Sequence, residues 1–309
     1  MTTALISHDD CLDHLTPRGH PEQVARLSRI MDALEGKALR RVVAPLVAED
    51  DLLRVHSRRY VERIRAAAPV EGRTKLDADT WMSPGSLKAA HRAAGGAVSA
   101  VDLVLSGEVG NAFVAIRPPG HHAERETPMG FCLFGNVAMA AKHALDHHGL
   151  GRVAVVDFDV HHGNGTQDLL EDDARALFAS SHQFPFWPGT GAADETGPHD
   201  TILNVPLAAG TGSDGFRRAY EEKVFPRVAA FRPELILVSA GFDAHRADPL
   251  ADLRLETEDF AWVTERLCDL ADTHCGGRLV SCLEGGYDLD ALAESVAAHV
   301  DVLIARAEG

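Results

Sequence analysis

Short runs of apolar residues recur along the chain, and each run is bounded by polar or turn-forming residues. Six of them stand out as nearly unbroken hydrophobic stretches, at 112–116, 153–156, 176–179, 202–205, 235–239 and 279–283. A strand that is buried on both faces of a parallel sheet has this pattern, whereas a strand with one solvated face alternates between apolar and polar positions. The runs therefore predict strands of a mostly parallel sheet.

The segments between these runs carry helical periodicity. After Pro21, for example, Val24, Leu27 and Leu34 fall on one helical stripe. Comparable patterns predict helices near 21–35, 51–67, 86–105, 134–148, 214–230, 258–273 and 288–305. Repeated alternation of strand and helix predicts a three-layer α/β fold with right-handed crossovers. No repeat, low-complexity tract or linker divides the sequence, so we expect a single domain over residues 1–309.

Charge and cysteine content narrow the classes of function. The 309 residues include 30 Lys and Arg against 46 Asp and Glu, a net charge of −16. Such an acidic chain argues against nucleic acid and anionic membrane as partners. The sequence contains neither an apolar run near the roughly 18 residues of a spanning helix nor the basic start of a secretory signal. The 5 cysteines form no C-x-x-C pair, which favours reduced thiols and a cytoplasmic location.

Polar motifs follow four of the apolar runs directly. They read RPPGHH at 117–122, DFDVHHGNG at 157–165, AGFDAH at 240–245 and EGGYD at 284–288. In open parallel sheets, ligands bind outside the carboxyl ends of the strands. We therefore expect the four motifs to meet at one site.

Three residues of these motifs have the chemistry of a metal centre. Asp159 and His161 are two residues apart in an extended segment, so their side chains point the same way, and Asp243 comes from another strand end. Two carboxylates and one imidazole leave open positions, which is the arrangement of a catalytic zinc or ferrous iron site. Either aspartate alone is equally suited to capping the following loop, but the three together favour a metal.

Other side chains in the motifs suit proton transfer. A neutral imidazole accepts and returns a proton near physiological pH, which makes the pair His121-His122 a candidate beside a metal. Asp157 and Asn164 flank the ligand pair and are placed to orient the rings. Tyr287 follows two glycines and is a candidate donor to a substrate oxygen. We expect the remaining histidines in the helical segments to lie on the surface: His143, His147, His148, His274 and His299.

In order and spacing, RPPGHH, DFDVHHGNGTQD, SAGFDAH and LEGGYD resemble the zinc-dependent histone deacetylase superfamily, which also contains acetoin-utilisation proteins and acetylpolyamine amidohydrolases. The resemblance begins at HPEQVARL, residues 20–27, and ends at Asp288, so it covers most of the chain. Asn164 resembles the class II branch, since class I members carry Asp there. The resemblance implies the arginase–deacetylase fold, a mostly parallel sheet of about eight strands flanked by helices.

The resemblance also implies roles for the motif residues. It matches His122 to the general base that activates water and later protonates the leaving amine, and His121, beside Asp157, to its electrostatic partner. It matches Tyr287 to the phenol that stabilises the tetrahedral oxyanion. The family's metal ligands match Asp159, His161 and Asp243, and Asn164 joins the catalytic set.

Substrate positions follow from the same resemblance. Phe131 in MGFCLFGN and Trp187 in FPFWPGTG match the aromatic walls of the acyl-lysine tunnel. Gly130, Leu250 and Asp79 complete the implied substrate-binding set.

Two further features of the family carry over. Arg26 matches a residue that lines an inner exit channel for the released acid. A structural potassium ion is expected near Asp157, Asp159, His161 and Ser180.

These observations predict a metal-dependent amidohydrolase that removes an acetyl or related acyl group from lysine, with Zn²⁺, or Fe²⁺ in its place, as the catalytic metal. The alternative within this class is deacetylation of an acetylpolyamine or another small acylated amine. Polyamine-specific eukaryotic relatives resemble one another in having a glutamate after the Asp-Pro pair, where this chain has Leu250. A silent relative that only binds acyl-lysine would lack Tyr287 or a ligand. An arginase-like pair of manganese ions would need another acid at Gly163.

Overall fold

The computed structural model describes residues 1–308. Within this range eight strands form one sheet in which every neighbouring pair is parallel. A small antiparallel pair of two-residue strands stands apart from it. The strands in chain order are β1 (Thr3–Ser7), β2 (Leu39–Val43), β3 (Thr74–Lys75), β4 (Trp81–Met82), β5 (Asn111–Val114), β6 (Val153–Asp157), β7 (Ala176–Gln183), β8 (Ile202–Leu207), β9 (Leu235–Ala240) and β10 (Leu279–Leu283).

The order of strands across the large sheet is β2-β1-β5-β10-β9-β6-β7-β8. The four strands that precede the polar motifs, β5, β10, β9 and β6, are therefore consecutive neighbours. Because the sheet is parallel, their carboxyl ends lie along one stretch of a single edge. Residues far apart in sequence are thereby brought to one place: a hydrogen bond joins Gly120 and Glu284, which are 164 positions apart.

Helices flank this sheet. Their bounds are α1 (Val24–Ala33), α2 (Glu49–Val55), α3 (Arg58–Ala67), α4 (Ser86–Leu105), α5 (Asn136–Asp146), α6 (Asn164–Leu170), α7 (Ser213–Ala219), α8 (Phe225–Phe231), α9 (Thr257–Cys275) and α10 (Leu289–Glu308). Helices α4 and α5 pack on each other, and α10 packs between α1 and α9 in a second group. A buried apolar core runs between these groups and the sheet.

The predicted parallel sheet is confirmed, and so is the eight-strand sheet implied by the family resemblance. The hydrophobic pattern alone missed β1 and β2. Strand β2 lies at the edge and carries the exposed residues Arg40 and Arg41, so it does not read as an unbroken apolar run. Strand β1 is short and lies only two residues from the start of the sequence.

Two predicted helices are interrupted. The segment 51–67 forms two helices, α2 and α3, because the Ser57 side chain accepts a hydrogen bond from the backbone N–H of Tyr60 and starts a new helix. The segment 214–230 contains α7 and α8 with one turn of π-helix, Tyr220–Val224, between them, and Pro226 lies in the first turn of α8.

The expectation that the remaining histidines lie on the surface is wrong for two of the five. His147 and His148 are exposed and His274 is half-buried, but His143 and His299 are buried. The His299 ring bonds to hydroxyl groups on α9 and β10, at 2.6 and 2.9 Å. Burial lowers the pKa of His299 to about 3, so its ring is neutral.

All 5 cysteines are buried and free of disulfide bonds. Across residues 1–308, no helix has both the length and the apolar content needed to cross a bilayer.

Candidate metal centre and substrate cavity

The loops after β6 and β9 bring Asp159, His161 and Asp243 together. His161 Nδ1 lies 3.2 Å from Asp159 Oδ1 and 3.2 Å from Asp243 Oδ2. One ligand atom from each of the three residues lies within 4.8 Å of the others, and all three residues are buried. The structure thus places the three predicted ligands in one cluster.

Backbone groups fix the direction of both carboxylates. Asp159 accepts hydrogen bonds from the backbone N–H of His161, at 2.9 Å, and of Gly285, at 2.8 Å. Asp243 accepts from the N–H of Val160 at 2.8 Å. A side chain at Gly285 would overlap both carboxylates, and one at Gly241 would overlap Asp159, so glycine is required at these two strand ends.

The donor set fits a divalent transition metal. Burial opposes the charge on Asp159, but His121 and His161 hold its pKa well below the usual range. Burial and the neighbouring charge of Asp159 raise the pKa of Asp243. Two buried carboxylates and one imidazole are the ligand types of a catalytic zinc or ferrous site, so these residues fit such an ion.

The two tandem histidines occupy different electrostatic environments. Burial opposes protonation of His121, but the carboxylates of Asp159 and Asp157 raise its pKa well above the usual value. His121 Nδ1 lies 3.0 Å from Asp157 Oδ2. Burial together with the charges of His121 and His161 lowers the pKa of His122. The first ring is therefore cationic and the second neutral.

The tautomer of His122 follows from its partner. The Asn164 amide nitrogen donates to Glu124 Oε1 at 2.8 Å, so its oxygen, 2.8 Å from His122 Nδ1, acts as the acceptor. His122 therefore carries its proton on Nδ1 and has a free lone pair on Nε2. A neutral imidazole in this state is suited to accept a proton.

A cavity of about 230 Å³ leads to His122 and His161. Trp187 packs edge-on against His122 with ring centroids 4.7 Å apart, and Phe131 packs edge-on against Tyr287 at 5.8 Å. Trp187 is 40% exposed, which places it at the mouth of the cavity. The lining residues are Asp79, His122, Gly130, Phe131, His161, Phe186, Trp187, Leu250 and Tyr287.

Gly130 is required where it lies. Its φ is +54°, a left-handed conformation that favours glycine. A side chain here would overlap the rings of His122 and Trp187. The absence of a side chain at this position therefore keeps the inner part of the cavity open.

Tyr287 is buried at the side of the cavity. Its backbone N–H donates to Asp248 Oδ2 at 2.7 Å, and the Arg26 guanidinium lies 4.8 Å from its ring centroid. Burial raises the pKa of Tyr287, although Arg26 opposes this effect. The phenol is therefore protonated and able to donate a hydrogen bond.

Arg26 lies fully buried behind Tyr287. Its guanidinium donates to the carbonyl oxygens of Gly286, at 2.6 Å, and Glu284, at 2.5 Å, and lies 3.2 Å from Glu22 Oε1. These contacts hold the LEGGYD loop in place. The acid exit channel that the resemblance assigns to Arg26 stays a prediction.

Comparison with known proteins connects this geometry to a family. The histone deacetylase domain matches residues 20–303. The chain is 43% identical over 275 residues to the histone deacetylase-like amidohydrolase of Pseudomonas aeruginosa, covering 86% of this chain and 71% of that protein. It is 39% identical over 327 residues to a Homo sapiens polyamine deacetylase, covering 98% of this chain and 48% of that protein.

The chain belongs to the histone deacetylase family. The crystal structure of the HDA15 HD domain superposes with a TM-score of 0.93 and 34% identity, covering 98% of this chain and 88% of that chain. The arginase–deacetylase fold implied by the motifs is thereby confirmed for this family member.

Sequence reasoning missed several residues that support this histone deacetylase site. Glu284 Oε2 accepts from the backbone N–H groups of Gly120, at 2.7 Å, and His121, at 3.1 Å, and so holds the histidine loop against β10. Burial raises the pKa of Glu284 to about 7. Glu284 directly follows an apolar run, as Asp157 does, and this position in the sequence could have identified it as a site residue. Phe186 was also missed, although it lies next to Trp187 in an aromatic run.

The region expected to hold potassium lies beside the metal centre. Asp157 pairs in register with Ser180 of the neighbouring strand β7. Burial raises the pKa of Asp157 to about 6, with His121 opposing the shift. Ser180 Oγ lies 3.0 Å from His182 Nδ1, so this side chain already has a protein partner.

Replacing Asp243 with Ala should abolish tight metal binding at the Asp159–His161–Asp243 centre. The variant removes one of three candidate ligands and leaves Asp159 and His161 unable to complete the centre. Metal content should be measured by elemental analysis after dialysis against a chelator that strips weakly held ions. Asp214→Ala, which removes an exposed carboxylate on α7, is the matched control and should keep its metal. A metal content equal to that of the Asp214→Ala control would contradict the ligand assignment.

Proposed function

We propose that this family member hydrolyses the amide bond of acetyl-lysine, or of a related acyl-lysine, in a metal-dependent reaction. The observation that carries the proposal is the aromatic cavity, which ends at both His122 and the Asp159–His161–Asp243 cluster. The family membership and the relatives named as deacetylases and amidohydrolases support it.

The shape of the cavity suits an acylated lysine side chain. Phe131, Phe186 and Trp187 offer apolar walls to the uncharged methylene groups of lysine, whose amide then reaches the metal cluster. Asp79 lines the same cavity, and burial and Asp77 raise its pKa. We infer that Asp79 accepts a hydrogen bond from the substrate near the mouth, and that Gly130 and Leu250 shape the remaining wall.

Each group at the site has a separate role in the proposed reaction. A zinc or ferrous ion held by Asp159, His161 and Asp243 would supply a Lewis acid that polarises the amide carbonyl and acidifies water. His122 takes the proton of the attacking water on its free Nε2 and later gives it to the leaving amine. The Tyr287 hydroxyl donates a hydrogen bond to the oxygen that becomes negative in the tetrahedral intermediate.

The charge on His121 complements these steps. Its ring is tilted against the ring of His122, with centroids 3.9 Å apart, and it is paired with Asp157. A cation at this position stabilises negative charge that develops at the reacting carbonyl, while Asp157 fixes the orientation of the ring. The separate environments of the two rings thus allow one to act as base and the other as a fixed charge.

We infer that Arg26 interacts with the acid product. Its positive charge lies behind Tyr287, where it complements a carboxylate such as acetate. We infer that the released acid leaves along this inner side, whereas the amine leaves through the mouth of the cavity.

An acetylpolyamine is the second candidate substrate. The relative named as a polyamine deacetylase favours it, at 39% identity. Leu250 argues against it, because an apolar side chain in the cavity lining offers no partner to the second cation of a polyamine. We therefore favour a lysine in a protein or peptide.

We also infer that a potassium ion stabilises the strand end that carries Asp157 and Ser180, together with backbone oxygens near Asp159 and His161. The family resemblance supports this inference, and Asp157 and Ser180 are paired in register on the neighbouring strands β6 and β7. An ion that binds only the native state raises the free energy of unfolding. Melting in KCl should occur at a higher temperature than in choline chloride at equal ionic strength, and equal midpoints would contradict the inference.

Replacing Tyr287 with Phe separates catalysis from binding. The change keeps the ring but removes one donor aimed at developing negative charge, so kcat should fall by about 10²–10³, about 3–4 kcal/mol. Affinity for an acyl-lysine peptide should change far less, because the neutral carbonyl needs the hydroxyl less than the oxyanion does. Steady-state kinetics and peptide binding should both be measured on metal-loaded protein.

The matched control is Tyr220→Phe, which removes a buried hydroxyl that bonds to Ser181 and does not line the cavity. It should keep its kcat. A nearly unchanged kcat in Tyr287→Phe would show that the phenol only packs. Loss of metal from that variant would show a structural role instead.

A further inference from the structure

A second group of histidines lies at the C-terminal end of α5. His143 and His147 are four residues apart and share one face of the helix, and His148 follows directly. One ring nitrogen from each of the three lies within 4.8 Å of the others. His143 is buried, whereas His147 and His148 are exposed, so the group opens to solvent.

A carboxylate from α4 completes this group. Asp102 Oδ1 lies 2.9 Å from His143 Nε2 and 2.7 Å from His148 Nε2. On the other side of the buried ring, His143 Nδ1 lies 2.8 Å from Asp51 Oδ1, on α2. Metal-bound histidines commonly donate their other ring N–H to a carboxylate, which fixes the tautomer and the direction of the coordinating nitrogen. Asp51 is in position to do this for His143.

The local charge also favours a cation. Helix α5 ends here, with His147 as its C-terminal cap, and the C-terminal end of a helix carries partial negative charge. Asp102 and Asp51 add two carboxylates, of which Asp51 is also bonded to Arg54 at 3.0 Å. Asp102 therefore contributes its charge mainly to the histidines.

We propose that His143, His147, His148 and Asp102 bind a second divalent transition metal ion, such as Zn²⁺, that joins α5 to α4. Three imidazoles and one carboxylate suit zinc, nickel or copper and not the oxygen-binding ions calcium and magnesium. Four protein ligands leave no open position, so this ion is structural and not catalytic.

The proposed ion is separate from the deacetylase centre. The first residue of α5, Asn136, contacts the loop that carries the tandem histidines, because its side chain donates to the Pro118 carbonyl at 3.3 Å. At 1.5 Å per residue, the other end of α5 lies about 15 Å away. An ion there fixes the end of the helix whose beginning supports the active-site loop.

The test is zinc binding by metal-loaded protein in equilibrium dialysis, with Zn²⁺ as the only added ligand. The unmodified chain should bind a second zinc ion and show a higher melting temperature as it does so. Replacing both His147 and His148 with Ala should remove the second ion and the melting shift. Both side chains are exposed and the buried His143 is untouched, so the fold should persist, as checked by circular dichroism.

His199→Ala is the matched control, because His199 is exposed and its ring bonds to the backbone carbonyl of Asp172. It should bind zinc like the unmodified chain. The Asp243→Ala protein should also still take zinc at the α5 site, which separates the two centres. Asp102→Asn, which keeps the shape of the side chain but removes its charge, should weaken the second site. Absence of a second ion in the unmodified chain, or its persistence in the double variant, would overturn the proposal.

Discussion

The Asp159 carboxylate is fully buried, and removing such a group from water costs several kcal/mol unless charges and hydrogen bonds compensate. Its compensation comes from three strand ends. The backbone N–H of Gly285 follows β10, the N–H and ring of His161 follow β6, and the His121 ring, 3.7 Å away, follows β5. This carboxylate can therefore be buried only where the ends of these strands lie along one stretch of the sheet edge. The sheet order β5-β10-β9-β6 and the metal centre are two consequences of one constraint.

A second buried charge network holds the loops behind the site. Glu22 is fully buried and accepts hydrogen bonds from both Arg117, at the start of the histidine loop, and Arg26, which also binds the LEGGYD loop. Breaking one member of a buried ion pair typically costs about 3–5 kcal/mol, because a charge is then left uncompensated. The loops that carry the base and the oxyanion donor are thus fixed by buried groups that do not line the substrate cavity. This arrangement is the preorganisation that electrostatic catalysis requires.

The features that could be predicted from the sequence are those that depend on residues close together in the chain. The apolar runs located the central strands, and the spacing of Asp159 and His161 was enough to suggest a shared ligand face. The apolar pattern did not predict edge strand β2, because its arginines face solvent and interrupt the run of apolar residues. The buried positions of Glu22 and Glu284 could not be predicted, because the hydrogen-bond partners that stabilise these side chains in the interior lie far away in sequence. His299 was misjudged for a related reason, since the hydroxyl groups that make a buried imidazole acceptable come from α9 and β10.

We propose that the aromatic cavity delivers an acyl-lysine amide to His122 and the Asp159–His161–Asp243 centre. The most direct test is kcat/KM for acetate release from an acetyl-lysine peptide and from an acetylated polyamine, on enzyme of defined metal content. We predict turnover of the peptide, loss of turnover on chelation and its return with zinc or ferrous iron. We also predict a higher kcat/KM for the peptide, because Leu250 offers no partner to a second cation. Preference for the polyamine would contradict the substrate assignment, and acetate release from neither substrate would contradict the proposed reaction.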